Sequence, residues 1–154
     1  MKIRLVIGAL VLAACSTKVE TVGVVPAAAP AAVATAFMQA VADSNLAQMG
    51  ELWGGSKGPA ATTGQPSNWL QRLAVIHAYL KGGSAKVLGD MPGAAKDDRR
   101  LLTVELTRSG CVKQIPFTMI LTKQGAWLVN AIDLNAAGVP GRPCEKATTG
   151  TSGI

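Results

Sequence analysis

The chain predicts an α+β domain, with helices first and an antiparallel sheet after them. Two observations carry this: apolar residues recur at steps of three and four between residues 33 and 80, and at every second residue after Gly82-Gly83. A third, the pairs Ser109-Gly110 and Gln124-Gly125, cuts the second half into runs joined by tight turns, which makes neighbouring strands antiparallel.

Ahead of the domain stands a different pattern. Lys2 and Arg4 precede an uncharged apolar run over residues 5–12, followed by the small residues Ala13 and Ala14 and then Cys15. Positive start, short apolar centre and small-residue end are the marks of a secretory signal peptide. A spanning helix needs about 20 apolar residues, and this run stops well short. Leu12-Ala13-Ala14-Cys15 resembles the lipobox of bacterial lipoproteins. That resemblance implies removal of residues 1–14, diacylation of the Cys15 thiol and acylation of the new amine, mooring the chain to a membrane. Each buried methylene of such a lipid contributes about 0.8 kcal/mol, and two chains already hold stably where one does not. Ser16, where inner-membrane retention uses Asp in many Gram-negative lipoproteins, implies the outer membrane, facing the periplasm. The alternative is an ordinary cleaved signal that happens to contain a cysteine.

Charge and cysteine usage fit export. The full chain carries +6; losing Lys2 and Arg4 takes fifteen basic residues to thirteen, against nine acidic, a net charge of +4. The basic residues are scattered, with Arg99-Arg100 the one adjacent pair, so they form a solvated surface and not a nucleic-acid stripe. With Cys15 given to lipid, Cys111 and Cys144 remain, an even pair in an oxidising compartment. A disulfide between them would close a loop of roughly 34 residues and contribute about 3 to 4 kcal/mol in the chain-entropy picture. Two buried free thiols are the bland alternative. Two cysteines and one distant histidine do not make a zinc set.

Residues 15–32 hold Pro26 and Pro30 among alanines without a periodic apolar face, a tether that lets the domain stand off the bilayer. The domain covers residues 33–144, and residues 145–154, rich in Thr, Gly and Ser, read as a disordered tail. Val33, Phe37, Ala40 and Val41 line one face of a first helix, broken at Asp43-Ser44-Asn45. Asn45 with Gln48 forms a capping pair for a second helix, with Leu46, Met49, Leu52 and Trp53 inward. Residues 54–66 read as loop. Trp69, Leu73, Ile76 and Leu80 mark a third helix behind a Ser67 or Asn68 cap, ended by Gly82-Gly83. Strands follow over residues 84–89, 99–108, 111–123 and 126–134. Leu102, Val104 and Leu106 share one face, as do Ile115, Phe117, Met119 and Leu121. Pro116 argues for a bulge or an unpaired position in its strand. In the last strand Trp127, Val129 and Ala131 alternate with Leu128, Asn130 and Ile132.

Helices followed by a four-stranded antiparallel meander resemble the NTF2-like (SnoaL-like) cone-shaped α+β fold, over about residues 33–134. The residues behind the resemblance are Ala36-Phe37-Met38-Gln39-Ala40-Val41, ending in Asp43-Ser44-Asn45-Leu46, and Gln124-Gly125-Ala126-Trp127-Leu128-Val129 at the entry to the last strand. Enzymes of that family place a Tyr, Asp or His inside the cone, and such residues are scarce here.

The candidates for chemistry are correspondingly few. His77, the one histidine, lies a position off the apolar stripe of the third helix, close to Tyr79. Asp133 falls on the Trp127 face, where a carboxylate inside a cone could act as a base. Against these stand a packing histidine and an aspartate capping the sheet end in water. The chain has no nucleophile elbow, phosphate loop or metal-spaced cluster, so neither cofactor nor metal is expected. The expectation is a membrane-anchored envelope lipoprotein with a non-catalytic binding or interaction domain. Its partners would be an envelope protein, a small apolar ligand, or a second copy through the outer sheet face around Ile120, Leu128 and Ile132. The alternative is a small hydrolase or isomerase using Asp133 with His77 or Tyr79.

Overall fold

A computed structural model describes residues 28–93 and 98–142. Helices α1 (Pro30–Ala42) and α2 (Leu46–Leu52) lead into a two-stranded hairpin, β1 (Gly54–Gly55) and β2 (Gly58–Pro59), and a single turn, α3 (Ala60–Thr63). Helix α4 (Trp69–Leu80) precedes strands β3 (Ser84–Pro92), β4 (Arg99–Arg108), β5 (Cys111–Leu121) and β6 (Trp127–Ile132), which pair antiparallel in chain order.

Helix α1 starts at Pro30, three residues before the expected start, because proline's fixed φ and missing donor suit the first helical turn. Its buried side, Val33, Ala34, Phe37, Met38, Ala40 and Val41, contains the whole predicted face. Asn45 caps α2 as expected, its side-chain oxygen accepting from the Gln48 amide at 3.0 Å. Asn68 stands at the N-cap of α4 but makes no cap bond with its side chain; its oxygen accepts instead from Arg72 Nε at 3.1 Å.

Helices lie on one sheet face. Leu102, Val104, Leu106, Ile115, Phe117, Met119 and Val129 are all within 1% of full burial there, against Phe37, Met49, Leu73 and Leu80 of the helices. Phe37 meets Phe117 edge to face, ring centres 6.3 Å apart and planes at 79°.

Four local expectations are corrected. Residues 54–66 are not featureless loop: they contain the β1–β2 hairpin and α3. Strand β3 runs on to Pro92, with a register shift between Val87 and Gly89. Pro116 makes no bulge, since it sits in unbroken register opposite Thr103 of β4; its missing donor falls beyond the last β5–β6 pair, Phe117 with Ile132, so of the two expected outcomes the unpaired position holds. The bulge lies in β6 instead. Thr118 pairs with Ala131 but Met119 with Val129, leaving Asn130 as the extra residue. That insertion puts Ile132 opposite Phe117 on the core face, and Leu128, opposite Ile120, on the outer one. The outer face therefore lacks Ile132, and its exposed apolar side chains include Leu101 and Val112.

Candidate functional site

The bulge at Asn130 also decides the fate of Asp133. With Ile132 turned to the core, Asp133 leaves the Trp127 face, contrary to the expectation, and lies exposed. Its carboxylate accepts from the amides of Asn135 at 3.1 Å and Ala136 at 3.4 Å, capping the turn that follows the sheet.

His77 bonds elsewhere. Its Nε2 lies 3.1 Å from Ser44 Oγ, tying α4 to the turn between α1 and α2, where Ser44 adopts a left-handed φ of 54°. Sequence reading saw the Asp43-Ser44-Asn45 stretch as a helix break and missed this contact, since 33 residues separate the pair. A serine beside a histidine has the elements of a nucleophile and base. Here the nearby Ser44 and Asn45 amides already donate to Val41 and Ala40 carbonyls, so they are not free to hold an oxyanion. Tyr79 is half-buried against the core, and its carbonyl accepts from Arg108 at 2.8 Å.

Cys111 is disulfide-bonded. Cys144, its expected partner, and Cys15, the expected lipid carrier, both lie outside the described residues. Among the described residues no cluster of three or more His, Cys, Asp or Glu could hold a metal ion.

The more developed feature is a cleft of about 360 Å3 beside β6. The hairpin residues 54–58 form one wall, Thr63, Gln65 and Pro66 a second, and Arg72 of α4 a third; Trp53 and Asn130 complete the lining. Each part is held by chain geometry. Trp53 bridges Val129 at the free edge of β6, and the Asn130 amide, aimed outward by the bulge, donates to the Gly54 carbonyl at 2.8 Å. Its oxygen accepts from Arg99 at 3.4 Å. The Lys123 amide donates to the Ser56 carbonyl at 3.0 Å, and Thr63 Oγ1 to the Pro59 carbonyl at 2.8 Å. Among the described residues the buried indole nitrogen of Trp53 has no hydrogen-bond partner.

Lys57, Gln65 and Arg72 escaped the sequence reading. Gly54-Gly55 before Ser56-Lys57 and Gly58-Pro59 after it are a hairpin signal at the two-residue spacing. Short glycine strands have no side-chain alternation to reinforce it, however. A second groove of about 260 Å3 runs between α1, at Thr35, Met38, Gln39 and Ala42, and the start of β3. At the opposite end of the sheet Arg100 Nε donates to Asp90 at 2.8 Å, which holds the guanidinium above its ordinary pKa. No protein-family model, curated protein or solved structure matches this chain.

Proposed function

We propose that this chain is a lipid-anchored protein of a bacterial envelope, moored through Cys15 on the periplasmic side of the outer membrane, whose domain binds its ligand or partner without transforming it. Support for the anchor is the run from Lys2 to Cys15, with its two leading cations, short apolar centre and lipobox-like end. The Ala/Pro stretch after it supplies the reach. Helices on one face of a four-stranded antiparallel meander support an NTF2-like cone as the finer fold.

One observation carries the binding reading. The space between the helices and the sheet is filled by Phe37, Met49, Phe117 and Met119, each fully buried, while a cleft of about 360 Å3 opens at the sheet edge. In a cone-type enzyme the reactive groups occupy that interior. Here Asp133 caps an exposed turn and His77 is engaged with Ser44.

The test is expression of the full chain and its Cys15→Ser variant in a Gram-negative host. The native product should start at residue 15, carry added acyl mass and sediment with outer membranes. Cys15→Ser should be recovered without acyl mass, and Ser16→Asp should move the protein to the inner-membrane fraction. Affinity capture from envelopes would then identify the partner. A native product that starts upstream of Cys15 or bears no acyl mass refutes the anchor.

A further inference from the structure

We infer that the cleft between the β1–β2 hairpin and α4 is a binding site for the phosphate group of an anionic ligand, with Lys57 and Arg72 as its charged contacts. This rests on the reading of the domain as a binding module and names the ligand chemistry.

The first argument is charge. Lys57, in the two-residue turn of the hairpin, and Arg72, on α4, both border the cleft, and among the described residues no Asp or Glu lines it. Among the described residues the one ion pair joins Arg100 to Asp90, so neither cation has a carboxylate partner. Two cations facing one concavity make a local positive potential that attracts an anion. Arg72 is held in place: Asn68 accepts from its Nε at 3.1 Å, and the two terminal nitrogens of the guanidinium make no hydrogen bond among the described residues.

The second argument is rigidity. Residues 54–58 contain three glycines, and such a segment alone would be loose. Three bonds from three parts of the chain fix it: Asn130 to the Gly54 carbonyl, Lys123 to the Ser56 carbonyl, and the Ala60 amide to the Trp53 carbonyl at 2.8 Å. A site held in shape before the ligand arrives spends less of its binding free energy on ordering.

The third argument is geometry of the ligand. A carboxylate presents two oxygens in one plane, and a single guanidinium fork engages both of them. A phosphate presents oxygens in tetrahedral directions and can meet the Arg72 fork and the Lys57 ammonium together, with Ser56 and Gln65 as neutral donors. A cleft of about 360 Å3 is also of small-molecule size, so the phosphate can be free or carried on a lipid headgroup.

The experiment titrates the full chain with inorganic phosphate by calorimetry at low ionic strength, with chloride at matched ionic strength as control. A parallel arm measures binding to phosphatidylcholine vesicles with and without phosphatidylglycerol. Saturable phosphate binding, weakened about tenfold by Lys57→Gln or by Arg72→Gln and abolished by both, supports the site. Phosphatidylglycerol-dependent binding lost in the same variants supports it too, with a lipid headgroup as the source. Both side chains are exposed, so melting temperatures in phosphate-free buffer should match wild type, which separates lost binding from lost folding. No saturation up to roughly 10 mM phosphate together with no phosphatidylglycerol dependence overturns the inference, as does binding that survives the double substitution or is abolished equally by chloride. Capture of an envelope partner by a chain that fails these tests would overturn the phosphate site while leaving the binding module intact.

Discussion

Single atoms decide several features of this domain. Gly50, inside α2, is one: a Cβ built there would lie 2.5 Å from the ring of Trp69 and 3.2 Å from Ala61. Alanine should gain about 0.5–1 kcal/mol in helix propensity but lose about 1–3 kcal/mol to overpacking, so Gly50→Ala should lower stability in chemical denaturation. Gly89, beside the shift in β3, faces open space, and Gly89→Ala should be neutral or slightly stabilising in the same assay. Ser109 holds a φ of 50° and Gly110 one of 77°, the pair of left-handed residues that a tight hairpin needs. Asparagine tolerates that region better than serine, so Ser109→Asn should raise the melting temperature by a few degrees. At this scale the core was legible and the candidate site was not. Phe37, Leu73, Val104 and Phe117 announce themselves by spacing, whereas the extra residue at Asn130 leaves no mark in an apolar alternation. That one residue transfers Ile132 to the core and Asp133 away from it.

Helix ends and strand edges are where elements are joined. Asn45 satisfies an amide of α2 that the helix cannot, and Asn45→Ala should cost about 1 kcal/mol, read from the denaturation midpoint. Arg108, at the end of β4, donates to the carbonyls of Tyr79 at 2.8 Å, Lys81 at 3.3 Å and Ala137 at 3.4 Å. It thereby caps the C-terminus of α4 and fastens the chain after β6 to it. Arg108→Ala should cost about 1–3 kcal/mol, and Arg108→Lys should recover little, because one ammonium cannot span three carbonyls in the guanidinium's fork geometry. The elements that periodicity predicts are those with one buried face, α1, α4, β4 and β5. The expected strand stops at residue 89 while β3 runs to Pro92, because β3 is a sheet edge, almost wholly exposed, and no apolar face marks its last residues. The β1–β2 hairpin was missed because glycine pairing is a backbone event.

For the molecule as a whole, the disulfide at Cys111 is the covalent tie. If it closes on Cys144, a non-reducing peptide map will recover the two cysteines in one linked pair, and reduction should remove about 3 to 4 kcal/mol. That corresponds to a fall in melting temperature of roughly 10 °C or more. Two free thiols in exported protein would refute the pairing. The sequence by itself determined that helices precede an antiparallel sheet, and it determined most of the core, because burying one face of an element imposes a period that any reader can count. The proposal of export and anchoring rests on sequence alone, on the order of charge, apolar run and cysteine between Lys2 and Cys15. The cleft belongs to the tertiary structure alone. Lys57, Arg72 and Asn130 stand far apart along the chain and share no periodicity. They line one cleft because the hairpin is docked on β6, where a bulge turns the Asn130 amide onto the Gly54 carbonyl, and hydrogen bonds between distant segments leave no imprint on residue spacing.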